Sequence, residues 1–106
     1  MIEELKTFIS VVDYKNFTKA AEYLNLSQPS VSTHIKNLEN IFGVTLINRS
    51  IKQKTISITE SGYTLYKRAK EIISLLDVTF IDVKNLSSSV KGSLKIGASL
   101  TIGEYI

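Results

Sequence analysis

The 106 residues are 43% hydrophobic and 22% charged, which suits one small globular domain with an extension and excludes a disordered chain. The absence of cysteine excludes a disulfide framework and a thiolate metal site, and it accords with a reducing cytoplasm. The net charge of +3 at pH 7 leans toward a polyanionic partner.

Ile2, Leu5, Ile9 and Val12 recur at helical spacing, with Phe8 beside them, and predict a first helix ending near "DYKNF". Its opening, "MIEELKTF", has neither the basic nor the apolar region of a secretory signal. No apolar run is long enough to span a bilayer, so a soluble, cytoplasmic protein with no membrane partner is expected. Thr18 reads as the N-cap of a short second helix, with Ala20, Ala21 and Leu24 along one side. The two alanines permit close helix packing. Asn25 suits a left-handed helix end, and Leu26 is expected as a buried turn residue.

The stretch "LSQPSVSTHI" (Leu26–Ile35) starts a third helix over about Gln28–Phe42. Ser27 is its expected N-cap. Pro29 is tolerated because first-turn N–H groups have no intrahelical partner, and its ring presets φ. Val31, Ile35, Leu38 and Phe42 make one apolar stripe. At ~100° per residue the opposite face is centred on Thr33, with Pro29, Lys36, Asn37 and Asn40 around it and Ser32 at its edge. Gly43 closes the helix.

Val44–Asn48 and Thr55–Ile58 are β-prone runs joined by a basic tip, Arg49 to Lys54, which together look like a wing. Positive charge gathers here. Residues 34–54 carry Lys36, Arg49, Lys52 and Lys54 against Glu39, whereas residues 1–33 carry three lysines against four acids. Thr59 can cap a long helix, and Glu60 favours the positive end of its dipole. Tyr66, Ala69, Ile73, Leu76, Phe80, Val83 and Val90 form a heptad seam along roughly 37 Å of that helix. Such a stripe is too long to bury against the preceding domain alone, so a homodimer through this helix is expected. "LSSSVKGS" reads as a hinge or fraying end, and "LKIGASL" as a strand without a partner, so a further domain is expected downstream.

Two helices, a short turn and a polar outward face make a helix-turn-helix at about residues 18–37. The fold class is therefore mainly α. A winged helix-turn-helix of three helices and a two-stranded wing (1–59) precedes a dimerisation linker helix (60–90) and a hinge with the start of a truncated domain (91–106). A helix entering the major groove of double-stranded DNA end-on needs an uncluttered first turn with N–H groups facing phosphates. Gln28 can pair bidentately with adenine, and Ser30, Ser32 and Thr33 can donate to phosphates or bases. Lys36, Arg49, Lys52 and Lys54 supply salt-dependent attraction. Thr18, Ser27 and Pro29 complete the DNA-facing set.

The competing reading is a coiled-coil interaction module whose helix-turn-helix only packs; the basic wing and the Ser-Gln-Pro helix start argue against it. His34, the lone histidine, has no second ligand at metal spacing and reads as a packed or solvent-edge residue on the helix flank. Tyr63 and Tyr66 read as helix-seam packing. No Gly-rich phosphate loop and no nucleophile–base pair can be drawn, so neither an enzyme nor a bound cofactor is expected.

"NFTKAAEYLNLSQPSVSTHIKNLE" (Asn16–Glu39), with "FGVTLINRS" and "ITESG" after it, resembles the N-terminal region of LysR-type transcriptional regulators. The matching positions are Phe17, Thr18, Ala20, Ala21, Leu24, Ser27, Gln28, Pro29, Ser32, Ile35, Leu38, Glu39, Gly43, Leu46, Arg49, Thr59 and Gly62. The long helix and "GSLKIGAS" are similar to that family's linker helix and the first strand of its effector-binding domain. The resemblance implies a winged helix-turn-helix, a linker-helix dimer on an inverted-repeat operator, and a small-molecule effector bound by a downstream domain of the full-length protein, where higher oligomers are also open. Two positions depart from the pattern. Thr33 stands where the family usually has arginine, which bears on base preference, and Ile47 stands where an aromatic is usual.

Overall fold

The computed structural model describes residues 1–49 and 55–88. The expected contacts of Lys52, Lys54 and Val90, and the expected strand after the long helix, lie outside the described residues.

Helix α1 (Ile2–Tyr14) ends where Lys15 turns left-handed, its φ of 51° letting its N–H reach the Val11 carbonyl. Helix α2 (Phe17–Leu24) is capped by Asn16, whose side-chain oxygen accepts from the Lys19 N–H at 2.8 Å. The cap expected at Thr18 is thereby corrected. Asn16 is extended and stands before the first turn, while Thr18 is already helical. Asn25 takes the expected left-handed conformation, with φ 58°. Leu26 is 36% exposed and not buried as expected: its N–H closes the turn on the Ala21 carbonyl, and the side chain stays at the surface.

Helix α3 (Gln28–Phe42) has the expected bounds. Ser27 caps it and Gly43, at φ 69°, ends it. Val31, Ile35 and Leu38 are fully buried, but Phe42 is 48% exposed, which corrects the fourth member of the stripe. Its angle on the helix is right. As the last residue before the Gly43 turn, it lies past the reach of the core and lines an apolar groove with Val44, Leu65 and Ile72.

The wing is an antiparallel pair, β1 (Ile47–Arg49) and β2 (Ile56–Ile58), with Ile47 opposite Ile58 and Arg49 opposite Ile56. It starts later than the sequence pattern suggests. The Leu46 and Ile47 N–H groups donate to one carboxylate oxygen of Glu39, at 2.9 and 3.2 Å, so α3 holds the approach to the strand. Helix α4 (Glu60–Ser88) follows at once. Thr59 caps it as expected, accepting from the Gly62 N–H at 2.9 Å. The Thr59 hydroxyl donates to the Thr45 carbonyl, and its N–H donates to the Leu46 carbonyl. Gly62 presses so closely on this corner that an added Cβ would stand 2.3 Å from the Leu46 carbonyl oxygen.

The core lies within residues 1–73. Phe8 and Val11 of α1, Ala20 and Ala21 of α2, the α3 stripe, and Leu46 and Ile47 before and in the wing form one cluster. Ile47 fills its place in this core as an aliphatic residue. Among the described residues, no helix is long and apolar enough to cross a membrane.

Candidate nucleic-acid interface

The first turn of α3 is open and free of acidic side chains. Ser27, Gln28 and Pro29 are exposed and Ser30 is half-buried. The Ser27 hydroxyl accepts from the Ser30 N–H at 3.2 Å and donates to the Ser30 hydroxyl at 2.9 Å. The Val31 N–H goes to the Ser27 carbonyl, and Pro29 has no N–H. Among the described residues the Gln28 N–H has no partner, so the backbone of this turn offers fewer free N–H groups than the sequence pattern suggests. Thr33 and Lys36 are exposed further along the helix, and Ser32 is half-buried at its edge.

Thr18, Gln28 and Arg49 are far apart in sequence, yet they line one cleft together with Lys15, Asn16, Phe17, Thr55 and Ile56. The start of α2 forms one wall and the wing the other. Arg49 is the last residue of β1 and not part of a free tip. Its guanidinium carbon lies 4.6 Å from the centre of the Phe17 ring, and Nη1 donates to the Ser32 hydroxyl at 3.2 Å. Sequence reasoning missed Lys15, whose charge was lost in the acidic balance of residues 1–33. It also missed the work of Glu39, whose carboxylate sets the path of the wing. The signals for Glu39 are a lone acid in a basic stretch and its match to the family pattern, and neither says what the carboxylate holds. His34 is packed as expected, with Nδ1 2.8 Å from the buried Thr7 hydroxyl.

The expected seam of α4 divides. Ala69 has no exposed surface and belongs to the core of this same chain, so it is removed from any interface with a second chain. Tyr66 packs on that core too, and its phenol donates to the Asp13 carboxylate. Hydrogen bonding to Asp13, followed by desolvation, raises the Tyr66 pKa above the usual tyrosine value. Ile73 and Leu76 are half-buried, while Phe80 and Val83 are exposed. Ile72, Leu75, Ile81 and Leu86 are exposed as well, so the open apolar surface takes in residues beside the expected seam together with its Phe80 and Val83.

A family model described as a bacterial regulatory helix-turn-helix protein of the lysR family matches residues 2–63. The chain is 56% identical over 102 residues to the HTH-type transcriptional regulator CysL of Bacillus subtilis (strain 168), covering 96% of this chain and 33% of that protein. It is 35% identical over 99 residues to the HTH-type transcriptional regulator BsdA of the same organism. It therefore spans about a third of the length of the curated relatives it matches. Among solved structures it resembles the CbnR DNA-binding domain in a DNA complex, with TM-score 0.78 and 29% identity, covering 82% of this chain and 98% of that one. The BenM DNA-binding domain on catB site 1 DNA gives TM-score 0.78 and 31% identity, covering 84% of this chain and 97% of that one. With the three helices, the wing and the long helix in the same order, and more than half of its residues matched by the family model, the chain belongs to the LysR family of bacterial regulatory helix-turn-helix proteins.

Proposed function

We propose that this chain binds double-stranded DNA sequence-specifically, as the DNA-binding and linker part of a transcription regulator working in the bacterial cytoplasm. The observation that carries the reading is the convergence of the α3 start, the α2 start and the wing arginine on one cleft that, among the described residues, has no acidic side chain in its lining. That α3 presents Gln28 in the cleft and Thr33 exposed further along the helix supports base readout, while Arg49, Lys15 and Lys36 suit phosphates. The likeness to domains solved on DNA supports the same reading. Thr18, Ser27, Pro29, Ser30, Ser32, Lys52 and Lys54 remain the other proposed contacts.

The protein acts as a homodimer through α4, supported by the exposed line Ile72, Leu75, Val83 and Leu86 with Phe80 beside it. Each such side chain stabilises by roughly 1.5–3 kcal/mol when fully buried. A small-molecule effector acts on the whole regulator through a domain beyond this chain. Selection of bound DNA from a random pool tests the function. Enrichment of an interrupted inverted repeat is expected, and Gln28→Ala should relax one base pair per half-site by about 1–3 kcal/mol while sparing non-specific binding. A pool that shows no enrichment refutes sequence-specific binding.

A further inference from the structure

Arg49 is gripped from two sides. Its guanidinium carbon lies 4.6 Å from the centre of the Phe17 ring, and Nη1 donates to the Ser32 hydroxyl at 3.2 Å. Phe17 opens α2 and Ser32 lies on α3, so two helices hold one wing side chain. Phe17 is half-buried against the core, which fixes the ring that the cation rests on. A free arginine must freeze several rotatable bonds when it meets a phosphate. One already held has given up most of that freedom before binding. Among the described residues a single guanidinium N–H is committed, to Ser32, which leaves other N–H groups of the fork for an anion. The side chain remains exposed and lines the same cleft as Thr18 and Gln28.

We infer that Phe17 is a positioning residue of the DNA interface: its ring face, with the Ser32 hydroxyl, presets Arg49 for a backbone phosphate. The inference rests on the DNA-binding reading above and deepens it. Phe17 touches no DNA in this scheme and acts through Arg49 alone. A ring that merely fills the core would be replaced without loss of affinity by another apolar side chain of similar size.

The test compares Phe17→Leu, which keeps an apolar side chain and loses the ring face, with Phe17→Tyr, which keeps the ring. In the free protein, NMR should show the Arg49 side-chain protons shifted by the ring current, with Arg49→Ala identifying the signals. The shift should persist in Phe17→Tyr and vanish in Phe17→Leu. Affinity for a mixed-sequence DNA duplex is then measured over a series of salt concentrations, each value corrected for folded fraction. Phe17→Leu should weaken binding about 3-fold, as expected for an exposed cation–π contact. Phe17→Tyr should restore it. Adding Phe17→Leu to Arg49→Ala should cause no further loss. Unshifted Arg49 protons in the wild-type chain overturn the inference even where Phe17→Leu does not fold. Binding with fully additive losses overturns it while leaving DNA binding intact. A wild-type chain that does not bind the duplex at low salt removes the DNA reading and this inference together.

Discussion

Gly62→Ala is the sharpest perturbation that the fold offers. In an ordinary helix interior, alanine is favoured over glycine by about 1 kcal/mol. Here the added methyl would stand 2.3 Å from the Leu46 carbonyl oxygen and 2.7 Å from Ile58 Cγ2. The oxygen is backbone and cannot swing aside. It also accepts the Thr59 N–H at 3.0 Å and faces the Thr59 hydroxyl at 3.2 Å, so moving it loosens the α4 cap as well. Overpacking of this kind costs roughly 1–3 kcal/mol, and a weakened hydrogen bond adds about 1 kcal/mol. After the helix gain is subtracted, a net loss of about 1–3 kcal/mol remains. For a domain of this size that lowers Tm by on the order of 10 °C. Thermal unfolding followed by circular dichroism measures it, with Ser61→Ala, at the exposed neighbouring position, as the control that should not fall. A Gly62→Ala chain as stable as the wild type would refute the claim that α4 is pressed onto the wing at this corner.

Glu39→Ala should destabilise the chain by roughly 1–3 kcal/mol, because the Leu46 and Ile47 N–H groups lose their acceptor; Glu39→Gln, which keeps an amide oxygen, should lose less in a chemical denaturation series. The Tyr66 phenol has a folded pKa raised above the ordinary tyrosine value of 10.0, so the folded state holds that proton more tightly. Its contribution should be complete below pH 10.0, fall as pH rises through the raised folded value, and be missing from the alkaline stability profile of Tyr66→Phe. Leu76→Lys with Phe80→Lys should give a folded monomer by sedimentation, since neither residue belongs to the core cluster; a surviving dimer would place the interface elsewhere. Arg49→Ala should lower the salt slope of DNA binding by about one unit, and an unchanged slope would remove Arg49 from the phosphate contacts.

The bounds of α3 were legible because three local signals agree at its ends: the Ser27 cap, the Pro29 first turn and the left-handed Gly43. At the start of the second helix Thr18 draws the cap assignment and Asn16, two residues earlier, is passed over, because residue type alone does not separate the two. Only the backbone does, extended at one and helical at the other. Heptad spacing picked Tyr66 and Ala69 for a seam, but spacing reports that a face is apolar and not what covers it. Here the chain's own α1 and core claim both. The Arg49–Phe17 and Glu39–Leu46 contacts join residues through the fold, and neither leaves a pattern in the sequence. The cleft was legible as a set of residue types and illegible as a place.

The two wing strands owe their register to groups outside the segment that joins them. Glu39 fixes the Leu46 and Ile47 end, while Thr59 ties the other strand's exit to the Leu46 carbonyl. The consequence is evolutionary. Lineages descended from such a scaffold can lengthen, shorten or recharge the stretch between Arg49 and Thr55 without shifting which residue stands opposite which. Doubling a connecting loop costs only about 0.6 kcal/mol in closure entropy. The arginine at the root of the wing therefore keeps its address whatever the length of the stretch that follows it.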